Sequence, residues 1–110
     1  MKQPLDGIIA RRKYFWVGDT GALPVLEVEI GAPARSPFAE NEFMCSSRFI
    51  YAGSEQSQTA YGIDELQALQ LALGDLHAAL RRVEGSEGRA LRWEGEEVGG
   101  LGIRIPNFSG

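Results

Sequence analysis

His77 is the sole histidine of the chain and Cys45 the sole cysteine, so little catalytic or metal chemistry can be assembled from side chains of these types. A tetrahedral Cys/His zinc site within one chain needs four ligands, and a lone thiol has no intrachain disulfide partner. A general base requires an orienting group and a cleft. His77 lies at the border of an apolar helical arc, beside Gln70, and reads as a boundary residue. A nucleophilic thiol needs a neighbouring cation or a helix N-terminus, whereas Cys45 sits between Phe43 and Phe49 in a strand-like run and reads as buried and inert. The densest acidic cluster is Glu94, Glu96 and Glu97, beside Trp93. Grouped carboxylates can do acid/base work or hold a hard cation, but three glutamates around a turn lack the ligand pattern of a calcium loop. They read as a solvated hairpin tip, with an acidic patch for a basic partner as the functional option. No catalytic residue, metal or cofactor is expected.

The remaining candidates are weaker. Phosphate-cradling glycines lie between a strand and a helix N-terminus. Here Gly99, Gly100 and Gly102 precede a predicted strand, and Gly18 and Gly21 join two others. Ser46, Ser47, Ser54 and Ser57 lack the context of a nucleophile elbow. Arg11, Arg12, Lys13, Tyr14, Phe15 and Trp16 mix cations with aromatics, a pattern that suits base stacking but also protein contact, where Tyr, Trp and Arg are favoured anchors. In a strand, half of them face the core.

Charge decides against nucleic acid. The net charge is −4; residues 1–50 balance at six basic and six acidic, while residues 51–110 carry five basic and nine acidic. A nucleic-acid binder needs a basic footprint. Arg11, Arg12 and Lys13 interrupt the early apolar run, so no secretory pattern forms, and no stretch approaches the ~20 apolar residues of a membrane helix. A soluble, cytoplasmic protein is expected. At 110 residues, 44% hydrophobic and 24% charged, the chain fits one domain, 1–110, with a feasible two-layer core.

The elements that position these residues follow from patterning. Residues 8–18 are rich in β-branched and aromatic types and predict a strand. Asp19-Thr20-Gly21 is turn chemistry. Residues 23–30 alternate, with Leu26, Val28 and Ile30 on one face and Val25, Glu27 and Glu29 on the other, which predicts a hairpin with the first strand. Residues 31–41, with Pro33 and Pro37, form a loop. Residues 43–52 predict a third strand, with Phe43, Cys45, Ser47, Phe49 and Tyr51 on one face. Residues 53–59 are small and polar and read as a turn or linker. Short strands follow at 90–94 and 101–106.

One helix, 63–84, stands out. Leu66, Leu69, Leu73, Leu76, Leu80 and Val83 recur at spacings of three and four and share one side of the helix. Burying five or six such side chains contributes on the order of 10 kcal/mol before entropy. Asp64 and Glu65 in the first turn and Arg81 and Arg82 in the last complement the helix dipole.

This helix with its preceding glycine, a G-x-D-x-L-Q-A-L-x-L-A motif from Gly62 to Ala72, precedes Leu91-Arg92-Trp93 and the closing Leu101-Gly102-Ile103…Pro106. Together they resemble a family of small bacterial proteins of unknown function, with a strand-rich N-terminal half and an L-x-W strand after the helix. The resemblance brings no catalytic residues. In size and in lacking a catalytic set the chain is also similar in type to immunity proteins of bacterial toxin systems.

The expected fold is α+β, a two-layer, mainly antiparallel sheet of about five strands with one long helix across one face. The opposite face presents Arg11, Lys13, Glu27 and Glu29, or is used for dimerisation. The expected function is a non-enzymatic protein-binding domain, an immunity-type inhibitor of a basic toxin or a small assembly subunit. Tyr14, Trp16, Glu27, Glu29, Glu94, Glu96 and Glu97 are the candidate contacts. The alternative is a small enzyme or ligand-binding domain with a pocket between the helix and loop 31–41.

Overall fold

A computed structural model of the chain describes residues 7–20, 23–94 and 101–103. Within them run β1 (Ile8–Trp16), β2 (Leu26–Gly31), β3 (Ala34–Arg35), β4 (Phe43–Tyr51), β5 (Ser54–Gly62), α1 (Glu65–Glu87) and β6 (Leu91–Trp93). Every pairing is antiparallel: β6 with β1, β1 with β2, β2 with β4, β4 with β5, and the two-residue β3 with the start of β4. The chain meanders from β1 to β5, and α1 carries it back to β6 on the far side of β1. The architecture is the expected α+β sheet with one long helix, with six strands in place of about five.

The added long strand is β5, where a turn or linker was expected over 53–59. Its sequence Ser-Glu-Gln-Ser-Gln-Thr-Ala-Tyr-Gly has no apolar alternation, so composition alone could not mark it. What makes it a strand is the turn before it. Ala52 and Gly53 have φ of 53° and 79°, the pair of positive values of a two-residue hairpin turn whose twist matches the strands it joins. From Tyr51↔Ser54 the ladder then runs to Phe43↔Gly62 without a register shift.

Pleating sorts the side chains as expected on β2 and β4. Leu26, Val28 and Ile30, with Tyr14 and Trp16 of β1 and Cys45 and Phe49 of β4, are buried on the face that α1 covers. The helix lies mainly over β4 and β5. Asp64 caps it, accepting the Gln67 N–H at 2.7 Å, while Gln67 Oε1 accepts the Ile63 N–H at 2.8 Å. Between strand and helix, Gly62 admits no side chain: a Cβ there would stand 2.7 Å from the Ala68 nitrogen.

Three expectations for the helix are corrected. It continues through Gly85 to Glu87 and stops at Gly88, a left-handed residue with φ 65° whose N–H donates to the Glu84 carbonyl. Arg81 and Arg82 therefore lie before the last turn, which contains no basic residue. The buried face comprises Ala68, Ala72, Leu76, Ala79, Leu80 and Val83, rotated roughly 55° from the leucine stripe at 100° per residue. Short alanines let the helix approach the sheet closely; Leu69 and Leu73 flank the contact, and Leu66 points away. Residues 101–103 are not a strand, although their carbonyls bind β1: Tyr14 Oη donates to Leu101 at 2.5 Å and Arg12 Nη1 to Gly102 at 2.9 Å. Arg104, Ile105 and Pro106, the rest of that expected strand, lie outside the described residues.

Candidate functional site

The sheet face away from α1 carries a charge ladder. Register puts Arg11 opposite Glu29 and Glu29 opposite Arg48, with Lys13 opposite Glu27 alongside. Arg11 Nε donates to Glu29 Oε2 at 2.9 Å and Arg48 Nε to Glu29 Oε1 at 2.8 Å. Arg48 Nη2 bonds the same carboxylate, and Arg48 Nη1 lies 3.5 Å from Glu55. Glu29 and Arg48 are buried although they lie on the open face. Burial alone would raise the Glu29 pKa, but the hydrogen bonds from Arg48 and Arg11 outweigh it and hold the carboxyl below its usual range. The ladder is thus charged in composition and largely self-satisfied in structure.

The aromatics of β1 are also engaged within the chain. Arg92 stands 4.8 Å from the Phe15 ring centre, Arg89 5.0 Å from Trp16 and Arg12 4.9 Å from Trp93. Arg89 additionally reaches Asp19 at 3.2 Å. The cations that could have paired with a polyanion or a partner instead close the sheet margin against the helix exit, where the Glu84 carboxylate accepts the Leu91 N–H at 2.7 Å.

The margin at β5 is different. Among the described residues β5 pairs only with β4, so its outer edge is open along nine residues. At its C-terminal end several large apolar side chains face solvent: Phe38 (77% exposed), Ile63 (74%), Leu66 (63%) and Tyr61 (42%). Phe38 reaches across from the loop between β3 and β4 to meet Tyr61 edge-on, ring centres 6.4 Å apart. Neighbouring apolar exposure of this kind marks contact surfaces.

A cleft of about 340 Å³ opens on the helix side, between Ala10, Val28 and Ile30 of the sheet, Leu73 and Leu76 of α1, and Ile103. No residue of 31–41 lines it, so it is not where the ligand-pocket alternative looked. Of its polar lining residues, Arg12 and Tyr14 are committed to the carbonyls of residues 101 and 102 and Arg11 to Glu29, and no nucleophile–base pair faces it. Burial pushes the Cys45 thiol pKa up, and its Sγ donates to the Gly31 carbonyl at 3.3 Å. Among the described residues no group of three or more His, Cys, Asp or Glu could hold a metal, and no helix is long and apolar enough to cross a membrane.

The sequence-predicted contacts are not brought together. Tyr14 and Trp16 are core residues on the helix-covered face, because pleating turns even positions of β1 inward. Glu29 is engaged by two arginines, and Glu27 is half-buried opposite Lys13. Glu94 is exposed; Glu96 and Glu97 lie outside the described residues. The exposure of Phe38, Ile63 and Leu66 has no mark in the sequence pattern. Phe38 is one apolar residue in a proline-rich loop, and Leu66 was absorbed into the helical stripe.

Comparison with known families gives a match over residues 10–105 to a family described as a domain of unknown function, DUF6968. No curated protein and no solved structure matches the chain.

Proposed function

Since the chain belongs to the DUF6968 family, which carries no assigned activity, we propose from its surface that it is a non-enzymatic protein-binding domain acting through the β5 margin. The observation that supports this reading is the exposed set Phe38, Tyr61, Ile63 and Leu66 beside an open strand edge. Exposed aromatics and aliphatics beside unpaired backbone groups suit strand addition, in which main-chain bonds give affinity and flanking pockets give specificity. An immunity-type inhibitor of a bacterial toxin, or a small assembly subunit, is the specific form proposed. The acidic excess of residues 51–110 favours a basic partner, since charge complementarity speeds encounter.

The test is capture from an extract of the native host by the wild-type chain and by the triple variant Phe38→Ser, Ile63→Ser, Leu66→Ser. These are surface positions, so each change should alter stability by no more than about 0.5 kcal/mol while the triple variant loses the partner. Equal capture by both proteins, or none by the wild type, contradicts the reading.

A further inference from the structure

We infer that the occupant of the β5 edge is a second copy of this chain, paired antiparallel about a two-fold axis at Gln58. The inference deepens the assembly-subunit form of the protein-binding reading, in place of the toxin-inhibitor form, and rests on it.

Among the described residues the edge is uncovered and carries a single charge, Glu55. Natural sheets blunt an exposed edge with short strands, bulges, lysines or prolines. The opposite margin follows that rule, for β6 has three residues. In contrast, β5 has nine, with an unbroken register and neither proline nor lysine.

The hydrogen-bonding groups are in phase for self-pairing. The two-residue turn makes Tyr51 and Ser54 a hydrogen-bonded pair, and such pairs alternate along an antiparallel ladder. Ser54, Gln56, Gln58, Ala60 and Gly62 therefore bond β4, and the N–H and C=O groups of Glu55, Ser57, Thr59 and Tyr61 point away from it. The register that overlaps the whole strand with its copy sets Gln58 on the axis, Ser57 opposite Thr59 and Glu55 opposite Tyr61. Every outward-facing residue then meets another outward-facing residue, so each can exchange both backbone bonds.

The side chains agree with that register. Glu55 is the only charged residue of β5. Full overlap keeps it clear of its own copy, whereas a slip that centred the axis on Glu55 would set two carboxylates face to face. Two Gln58 amides meet on the axis, each able to donate and accept, and Ser57 and Thr59 match hydroxyl with hydroxyl on the open face. Ile63 comes beside the Ala52-Gly53 turn of the second copy, which gives one exposed apolar residue a neighbour. Both helices fall on the same side of one continuous antiparallel sheet.

Sedimentation equilibrium of the full chain, over concentrations into the high micromolar range, should give twice the monomer mass. Thr59→Pro removes one outward N–H and leaves the β4 ladder untouched, and should return the monomer mass with an unchanged circular dichroism spectrum. Gln58→Cys provides a readout that does not depend on the proline variant folding. At a non-hydrogen-bonded pair the two Cα atoms stand about 4.5 Å apart, within disulfide reach, so mild oxidation should yield a covalent dimer. Gln56→Cys, placed opposite Ala60, should not. A wild-type chain that is monomeric throughout, or a dimer in which Gln56→Cys links as readily as Gln58→Cys, overturns the inference. If the monomeric chain still captures a partner through Phe38, Ile63 and Leu66, the protein-binding reading survives and only the second copy is lost.

Discussion

The centre of the open sheet face and its β5 margin are neighbours that differ in what they leave available. The centre is crowded with ionised groups, yet Arg11, Glu29, Arg48 and Glu55 bond one another, and Lys13 stands opposite Glu27. The margin has one charged residue in nine, yet among the described residues its backbone edge is open and the side chains of Phe38, Ile63 and Leu66 face solvent. Charge in a sequence is thus a poor guide to what a protein offers a partner. What matters is whether register has already supplied each charge with a counter-charge.

The largest effect should come from breaking the centre. Glu29→Gln leaves Arg48 buried with its main counter-charge removed, and removing one partner of a buried pair costs about 3–5 kcal/mol; urea melts measure it. The same substitution has a pH signature. Because the folded-state pKa of Glu29 is lowered, its contribution is present above the unfolded carboxylate range and is lost as pH falls through the folded value. Wild-type stability should fall on acidification through that window, and Glu29→Gln should flatten the fall. A wild-type protein whose midpoint shifts with pH no more than that of the variant would remove the ladder from the account.

Next in size is a contrast within α1. Leu76, 2% exposed, faces the sheet between Ala72 and Ala79, and Leu76→Ala should cost about 2–5 kcal/mol. Leu66→Ala, at the margin, should stay within about 0.5 kcal/mol. Equal losses would mean that the helix presents its leucine stripe after all and that Leu66 is not free for a partner.

How much of this could be read from the sequence differed by region, for physical reasons. The faces of β2 and β4 were legible because a buried face and a solvent face alternate with period two, and the hairpin of β1 with β2 followed from the turn between them. The helix was legible in its existence and not in its rotation. Leucines carry the periodicity, but alanines make the closest approach to the sheet, and a short side chain leaves little mark on a hydrophobic pattern. Strand β5 was invisible because an edge strand of polar residues owes its conformation to its partner and to the Ala52-Gly53 turn. The ladder required knowing that Glu29 stands between Arg11 and Arg48, which is a property of three strands in register. Parity, once register is fixed, places Tyr14 and Trp16 beneath the helix side, which their residue types alone do not reveal.

Residue-resolved amide hydrogen exchange shows whether the β5 margin is an occupied interface. Inward amides at Gln56, Gln58 and Ala60 should be protected at all concentrations by the β4 ladder. If a second strand adds here, the outward amides of Glu55, Ser57, Thr59 and Tyr61 should become protected as protein concentration rises. Outward amides that exchange freely at every concentration, while the inward ones stay protected, would contradict the account.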